Sequence, residues 1–287
     1  MSILLSFSTS PLTRIIDAKY YDFESTLKVM RKLWDFSVIQ GYELQHLAEW
    51  QANSAPLDND PRYDRHSAWK ESIKYSVDEI GEKVNNLGIS ILSVHGNRDI
   101  GILCCSDKSE DINNARRIIQ EGIEIAIQVK ARICVFHMWD TFNIKFNPSI
   151  QKEIINEMSE KYSNIKLSVE NIPTKIPEHT PYDLIKDFKW ITLDIRWAVL
   201  YDELKRFYKV KDKIVNIHLR GILKGKRWIL ERSSYSFYEV LDMIINEWNY
   251  NGLLTIEPEG GLIRASWEDL IEAISSINKV ISGSIKL

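Results

Sequence analysis

Six ionisable side chains stand in the same local setting along this chain. His95 lies in SVHGNRD, His137 in VFHMWD, Glu170 in SVENIP, Asp194 in TLDIRW, His218 in NIHLRG and Glu257 in TIEPEGG. Each closes a short apolar, β-rich run. One polar residue in such a place is explained by a solvated strand edge or a helix cap. Six of them, all of types that ligate metal ions, are not. Carboxylates crowded in a buried place lose hydration and repel one another, so they ionise together only beside a cation. The expected chemistry is that of a divalent-metal site.

Other residues carry narrower signals. Trp139 and Trp197 follow the ends of their runs and are expected to wall a substrate pocket. Arg220 stands two residues after His218, on the same face of an extended strand. It opens a basic stretch with Lys224, Lys226, Arg227 and Arg232. That stretch reads either as a solvated loop or as a recogniser of phosphate or carboxylate on an anionic substrate. Asn171 directly follows Glu170 and is expected to orient a neighbouring ligand. His46, His66 and His179 fall in loops or flanks and are given no role.

The elements that must hold these residues alternate along the chain. Apolar runs at 3–7, 41–45, 90–95, 133–137, 165–170, 190–194, 214–218 and 253–257 read as strands. The last six stop at His, Glu or Asp, and near-continuous apolar strands suit a parallel sheet buried on both faces. Helical patterns fill the gaps, at 112–129 and 151–162 among others. Leu270, Ile274, Ile277 and Ile281 mark one helix face. Ser236 with Glu239 and Ser266 with Asp269 have capping-box spacing, and Thr180-Pro181 reads as an N-cap followed by proline. Eight strand–helix alternations predict an α/β fold, a (β/α)8 TIM barrel, as a single domain over 1–287. Active sites of such barrels lie at the C-terminal ends of the strands, where all six residues fall. An open dinucleotide-binding sheet would need a glycine-rich turn after its first strand, and none is present. Segment 46–66 is the longest irregular stretch and is expected to overhang the barrel mouth, as a lid or as an insertion.

Composition narrows the partners. The 287 residues carry 37 Lys+Arg against 40 Asp+Glu, a formal net charge of -3, which favours no polyanionic partner such as nucleic acid. No run approaches the roughly 18 apolar residues that span a bilayer, so no membrane partner is expected. MSILLSFSTS has no basic n-region, and no signal peptide is read there. Cys104, Cys105 and Cys134 form no CxxC and read as reduced thiols of a cytoplasmic protein. A homo-oligomer is compatible with the sequence, which sets no oligomeric state.

The order Glu, Asp, His, Glu on strands 5 to 8 resembles the sugar isomerase and epimerase branch of the xylose-isomerase-like barrels. Ser-Val-Glu170-Asn171, Ile-His218-Leu and Thr-Ile-Glu257 match its strand-end motifs, and Gly41-Tyr-Glu43-Leu44 resembles its strand-2 motif. The resemblance covers nearly the whole chain. It implies one divalent ion held by Glu170, Asp194, His218 and Glu257. Glu170 and Glu257 would double as acid and base, shuttling a proton on carbon beside a carbonyl of a small sugar or sugar derivative. Three carboxylates and one imidazole suit Mn, Co, Mg or Zn. A sugar-acid dehydratase on the same scaffold is an alternative. A further one comes from endonuclease IV, a relative of this barrel family. Its first two metal sites use residues like His95, His137, Glu170, Asp194, His218 and Glu257, so His95 and His137 could hold a second ion. Its third site needs a His three residues after the strand-6 Asp, where this chain has Trp197, and an Asp-x-His that Lys224–Arg232 lacks. Trp197 also departs from the Asp-x-x-His of many isomerases in the family.

Overall fold

The computed structural model describes residues 3–10, 12–58 and 63–284. Its strands are β1 (Leu4–Ser8), β2 (Gly41–Gln45), β3 (Ile91–His95), β4 (Ile133–Phe136), β5 (Lys166–Glu170), β6 (Trp190–Asp194), β7 (Ile214–Lys224), β8 (Arg227–Ile229) and β9 (Leu253–Pro258). Strands β1 to β7 pair in sequence order, β7 pairs with β9, and β9 returns to β1, all in parallel. Helices lie between the strands, so the protein is a closed eight-stranded (β/α)8 TIM barrel. Among the described residues no helix is long and apolar enough to cross a membrane.

Alternation within the strands decides what faces inward. Leu5 and Phe7, Tyr42 and Leu44, Leu167 and Val169, Ile191 and Leu193, and Leu254 and Ile256 join the main apolar core. The intervening Ser6, Glu43, Ser93, Ser168, Thr192, Asn216 and Thr255 are equally buried but polar. They meet inside the barrel. Ser6 Oγ lies 2.7 Å from Thr255 Oγ1, Ser168 Oγ lies 2.7 Å from Thr192 Oγ1, and Thr255 donates to Asn216 Oδ1 at 2.9 Å. Much of this lumen is therefore hydrogen-bonded, where branched apolar layers dominate in most barrels of this kind. A small second apolar cluster, which includes Ile133 and Val135 in register with Ser93 and His95, completes the packing.

Helix boundaries follow the caps read from sequence. Ser236 and Glu239 form a full capping box, Thr180 caps a helix that has Pro181 in its first turn, and Ser266 accepts from the Asp269 N–H. The patterned helices occupy Ser109–Gln128 and Pro148–Lys161. Close backbone approach sets one neighbour of the site. A Cβ on Gly101 would stand 2.4 Å from the Trp139 carbonyl oxygen, so only glycine lets helix Asp99–Cys104 seat against the segment after β4.

Two expectations change in three dimensions. Strand β7 runs past His218 to Lys224, then turns through Gly225 (φ 54°) into antiparallel β8. The basic stretch is thus a hairpin and not a loop at the mouth. Lys224 pairs with Glu231 at 2.9 Å and Lys226 with Glu272 at 2.8 Å, so these cations are answered by the protein's own acids. Segment 46–66 is the second case, with 59–62 of it outside the described residues. Its remainder is pinned. Buried Arg65 donates to Glu49 at 3.1 Å, to Asp99 at 2.7 Å and to the Leu57 carbonyl at 2.7 Å, and the Leu57 N–H donates to Asp99 at 3.1 Å. Those charge-assisted bonds tie Glu49, Leu57 and Arg65 of the segment to Asp99 beside the site.

Candidate metal centre

Barrel order sets the site. Glu170 ends β5, Asp194 ends β6, His218 lies within β7 and Glu257 within β9, on four successive barrel strands. These four offer ligand atoms that all lie within 4.8 Å of one another, and so do His95, His137 and Glu170. Glu170 belongs to both groups. His95 ends β3, and His137 follows β4 by one residue.

The groups hold one another closely. Glu170 Oε2 lies 3.1 Å from His95 Nε2, 3.0 Å from His137 Nε2 and 3.4 Å from His218 Nδ1. His218 Nδ1 is also 3.2 Å from Glu257 Oε2. Asp194 caps helix Ile195–Leu200, its Oδ1 accepting from the N–H groups of Arg196 and Trp197 at 2.8 and 3.2 Å. Asn171 clamps the backbone of Asp194, accepting its N–H at 2.6 Å and donating to its carbonyl at 3.0 Å. Arg220 reaches inward, 3.1 Å from Glu257 Oε1 and 3.5 Å from Asp194 Oδ2, and lies over the Trp197 ring at 5.3 Å.

Whether these residues suit a cation is answered by their unmet needs. Glu170 Oε1 is buried without a hydrogen-bond partner, and His218 Nδ1 and Glu257 Oε2, equally buried, have only each other's poorly aligned contact at 3.2 Å. Two of them are carboxylate oxygens and one is an imidazole nitrogen, the donor set of a divalent ion. The charges agree. Burial, with Glu170 and Glu257 close by, pushes the Asp194 carboxyl up to about 8 against the pull of Arg220. Burial would likewise raise Glu257, but Arg220 and His218 hold it at about 2. Burial would raise Glu170 too, yet His218 and His137 keep it well below the usual carboxylate range. His218, which burial alone would lower, is raised well above the usual imidazole range by Glu43 and Glu170. With no metal cation, one carboxylate of the three holds a proton, as like charges at this distance require.

The site opens into a cavity of about 730 Å³. Glu257, Arg220, Trp197, His95 and His137 line it, as do residues with no expected role, such as His46. Trp139 does not. It is 2% exposed, stacks on Phe146 and donates to the Pro173 carbonyl at 3.0 Å, so its expected place on the wall is corrected to the core. Ile172 and Phe142 stand on that wall. Glu43 entered the sequence reading only as part of a strand-2 motif and was given no role at the site. Its signal was a charge in the middle of an apolar strand, between Tyr42 and Leu44.

No protein-family model matches the chain. An uncharacterized protein of Methanocaldococcus jannaschii is 26% identical over 113 residues, which cover 35% of this chain and 44% of that protein. Solved structures match along nearly the full length. A L-ribulose 3-epimerase superposes with a TM-score of 0.65 at 12% identity, covering 99% of this chain and 96% of its own. A xylose isomerase-like TIM barrel protein from Mycobacterium smegmatis, in complex with magnesium, gives 0.60 at 15% identity, covering 99% and 98%. The likeness to these structures is one of fold, the (β/α)8 barrel. This fold also extends to an AP endonuclease, family 2, from Brucella melitensis, at a TM-score of 0.55 and 13% identity, covering 90% of this chain and 94% of its own. At these identities the likeness is one of fold, and xylose isomerase-like barrels host more than one chemistry.

Proposed function

We propose that this barrel is a divalent-metal-dependent isomerase or epimerase of a small sugar or sugar derivative. The observation that carries the reading is the cage of Glu170, Asp194, His218 and Glu257, whose orphaned oxygens and nitrogen face one another at the edge of a cavity large enough for a sugar. These four residues would hold the ion. A bound divalent ion would supply Lewis-acid polarisation of a substrate carbonyl. Glu257 lines the cavity and is kept ionised by Arg220, so it suits the removal of a proton from carbon beside that carbonyl. Glu170, three barrel strands away, would return the proton from the other side. Arg220 and Trp197 would bind and orient the substrate from the wall they share. An anionic sugar would draw on Arg220 for recognition, since Lys224 and Lys226 of the basic stretch are paired with Glu231 and Glu272. The epimerase among the structural neighbours supports the same chemistry class.

The test is solvent exchange. The purified protein with Mn or Co should exchange a substrate C–H for deuterium within a panel of ketoses, inososes and their phosphorylated or carboxylated relatives. Absence of exchange across that panel, with metal demonstrably bound, would sink the reading. One observation favours a second reading, a binuclear phosphodiesterase: the cluster of His95, His137 and Glu170 beside the cage. Trp197 stands where the third site of endonuclease IV needs a His, Lys224–Arg232 has no Asp-x-His, and the net charge of -3 is unfavourable to a DNA substrate. Glu170-dependent cleavage of abasic-site DNA would establish that alternative.

A further inference from the structure

Glu43 lies at the centre of β2 with no exposed surface. Its Oε2 accepts from Ser93 Oγ at 2.9 Å, from Asn216 Nδ2 at 3.0 Å and from His218 Nε2 at 3.2 Å. The direction of this network is set from deeper in the barrel. Thr255 Oγ1 donates to Asn216 Oδ1 at 2.9 Å, so the Asn216 amide must turn its Nδ2 to Glu43. The proton of Thr255 being engaged there, Ser6 donates to Thr255 at 2.7 Å. All donors therefore converge on one carboxylate oxygen, and His218 meets it with Nε2–H. The other ring nitrogen, Nδ1, then faces the cage. It stands 3.2 Å from Glu257 Oε2 and 3.4 Å from Glu170 Oε2, two of the oxygens of the cage.

We propose that Glu43 is the positioning residue of the metal centre: by accepting the Nε2–H of His218 it sets that ring's rotation and tautomer, so that Nδ1 is the atom offered to a divalent cation. This inference rests on the metal-dependent reading above. A carboxylate behind a ligating imidazole fixes its orientation and raises its basicity, and loss of such a partner typically weakens metal binding by about 10–100-fold. The polar lumen gains a purpose from it. Ser6, Thr255, Asn216 and Ser93 hold Glu43 as Glu43 holds His218, which an apolar interior could not do. A charge buried at this depth without the site to serve would only cost stability.

The experiment uses the full chain, labelled with 15N and loaded with zinc, which is diamagnetic. Long-range 1H–15N correlation should show His218 protonated at Nε2 and ligated at Nδ1. Glu43→Met, close in volume but without an acceptor, should bind zinc about 10–100-fold more weakly by calorimetry and show a mixed pattern of His218 nitrogens. Glu43→Gln, which can keep an acceptor in place, should recover most of the affinity and the wild-type pattern. Wild-type His218 ligated through Nε2 overturns the inference without recourse to any variant. So does a Glu43→Met protein with unchanged affinity and unchanged His218 signals. Failure of the wild type to bind zinc, manganese or cobalt at all would instead overturn the metal reading, and the inference with it.

Discussion

Glu170 has two sides, and they are built differently. Towards β3 and β4 it meets two imidazoles. His95 donates from Nδ1 to the Gly96 carbonyl at 3.0 Å and points Nε2 at Glu170, and His137 Nε2 does the same. Neither ring appears among the buried, unpartnered groups of the described residues. Towards β6, β7 and β9 it meets two carboxylates and His218, and there the orphaned atoms collect. Imidazoles can close around a carboxylate by sharing protons. Carboxylates cannot close around one another without a cation. The β6–β9 side has the donor set that suits a divalent ion, with Arg220 as the cation already present beside Asp194 and Glu257, while the histidine side closes on Glu170 by hydrogen bonds. The charge states fit this contrast. Burial would lower His95, but Glu170 raises it, so His95 can answer the carboxylate as a cation; burial keeps His137 lowered and neutral.

The comparison breaks or holds first at Glu257. Glu257→Gln removes a ligand charge and the base, so metal affinity should fall by more than the roughly hundredfold range of an outer-shell change. Deuterium exchange should fall by about 10²–10⁴-fold or more. Near wild-type exchange in this variant would remove the β6–β9 side from the chemistry. On the other side, the wild type and a His95→Ala/His137→Ala protein should each bind one metal per chain. Its expected loss is in stability, roughly 1.5–3 kcal/mol for each hydrogen bond to the buried Glu170 carboxylate, read by denaturant titration without metal. A wild-type stoichiometry of two that drops to one in this variant would make both sides metal sites.

A pH series sharpens the same contrast. Asp194, raised to about 8, holds a proton below that value, and an ion must expel it. Metal affinity should therefore weaken as pH falls below about 8, by up to about tenfold per unit for each displaced proton, and calorimetry in buffers of different ionisation enthalpy should register the release. The sign is opposite for the metal-free fold. Asp194 binds its proton more tightly folded than unfolded, so its contribution to stability is complete at acid pH, below the ordinary carboxyl range, and is lost as pH rises through about 8. An affinity independent of pH from 6 to 8 would mean that the cage binds no ion through Asp194. The smallest effect is expected at Trp139. Trp139→Phe should cost about 1 kcal/mol for its lost bond to Pro173 and leave exchange kinetics unchanged, whereas Trp197→Ala should raise KM.

Much of this protein follows from local pattern alone. Parallel strands covered by helices must be apolar on their outer face, and helices between them are favoured by caps, so the eight runs and the caps at Thr180, Ser236 and Ser266 were readable one segment at a time. A residue of ligand type at a strand end needs only the strand to be placed, which is why His95, Glu170 and Asp194 fell where expected. What the chain could not show residue by residue depends on partners distant in sequence. Trp139 and Trp197 look alike beside their strands, yet a carbonyl at Pro173 takes one into the core and the Arg220 guanidinium keeps the other on the cavity wall. The basic stretch after Arg220 resembled an anion site until β8 paired it back on itself and Glu231 and Glu272 met its lysines. Glu43 is 175 positions from His218, and only closure of the barrel brings its carboxylate behind that ring. Sequence determines which side chains are available at each strand end. Which of them share one low-dielectric volume, and so which must find a cation or a proton there, is decided by how the strands close.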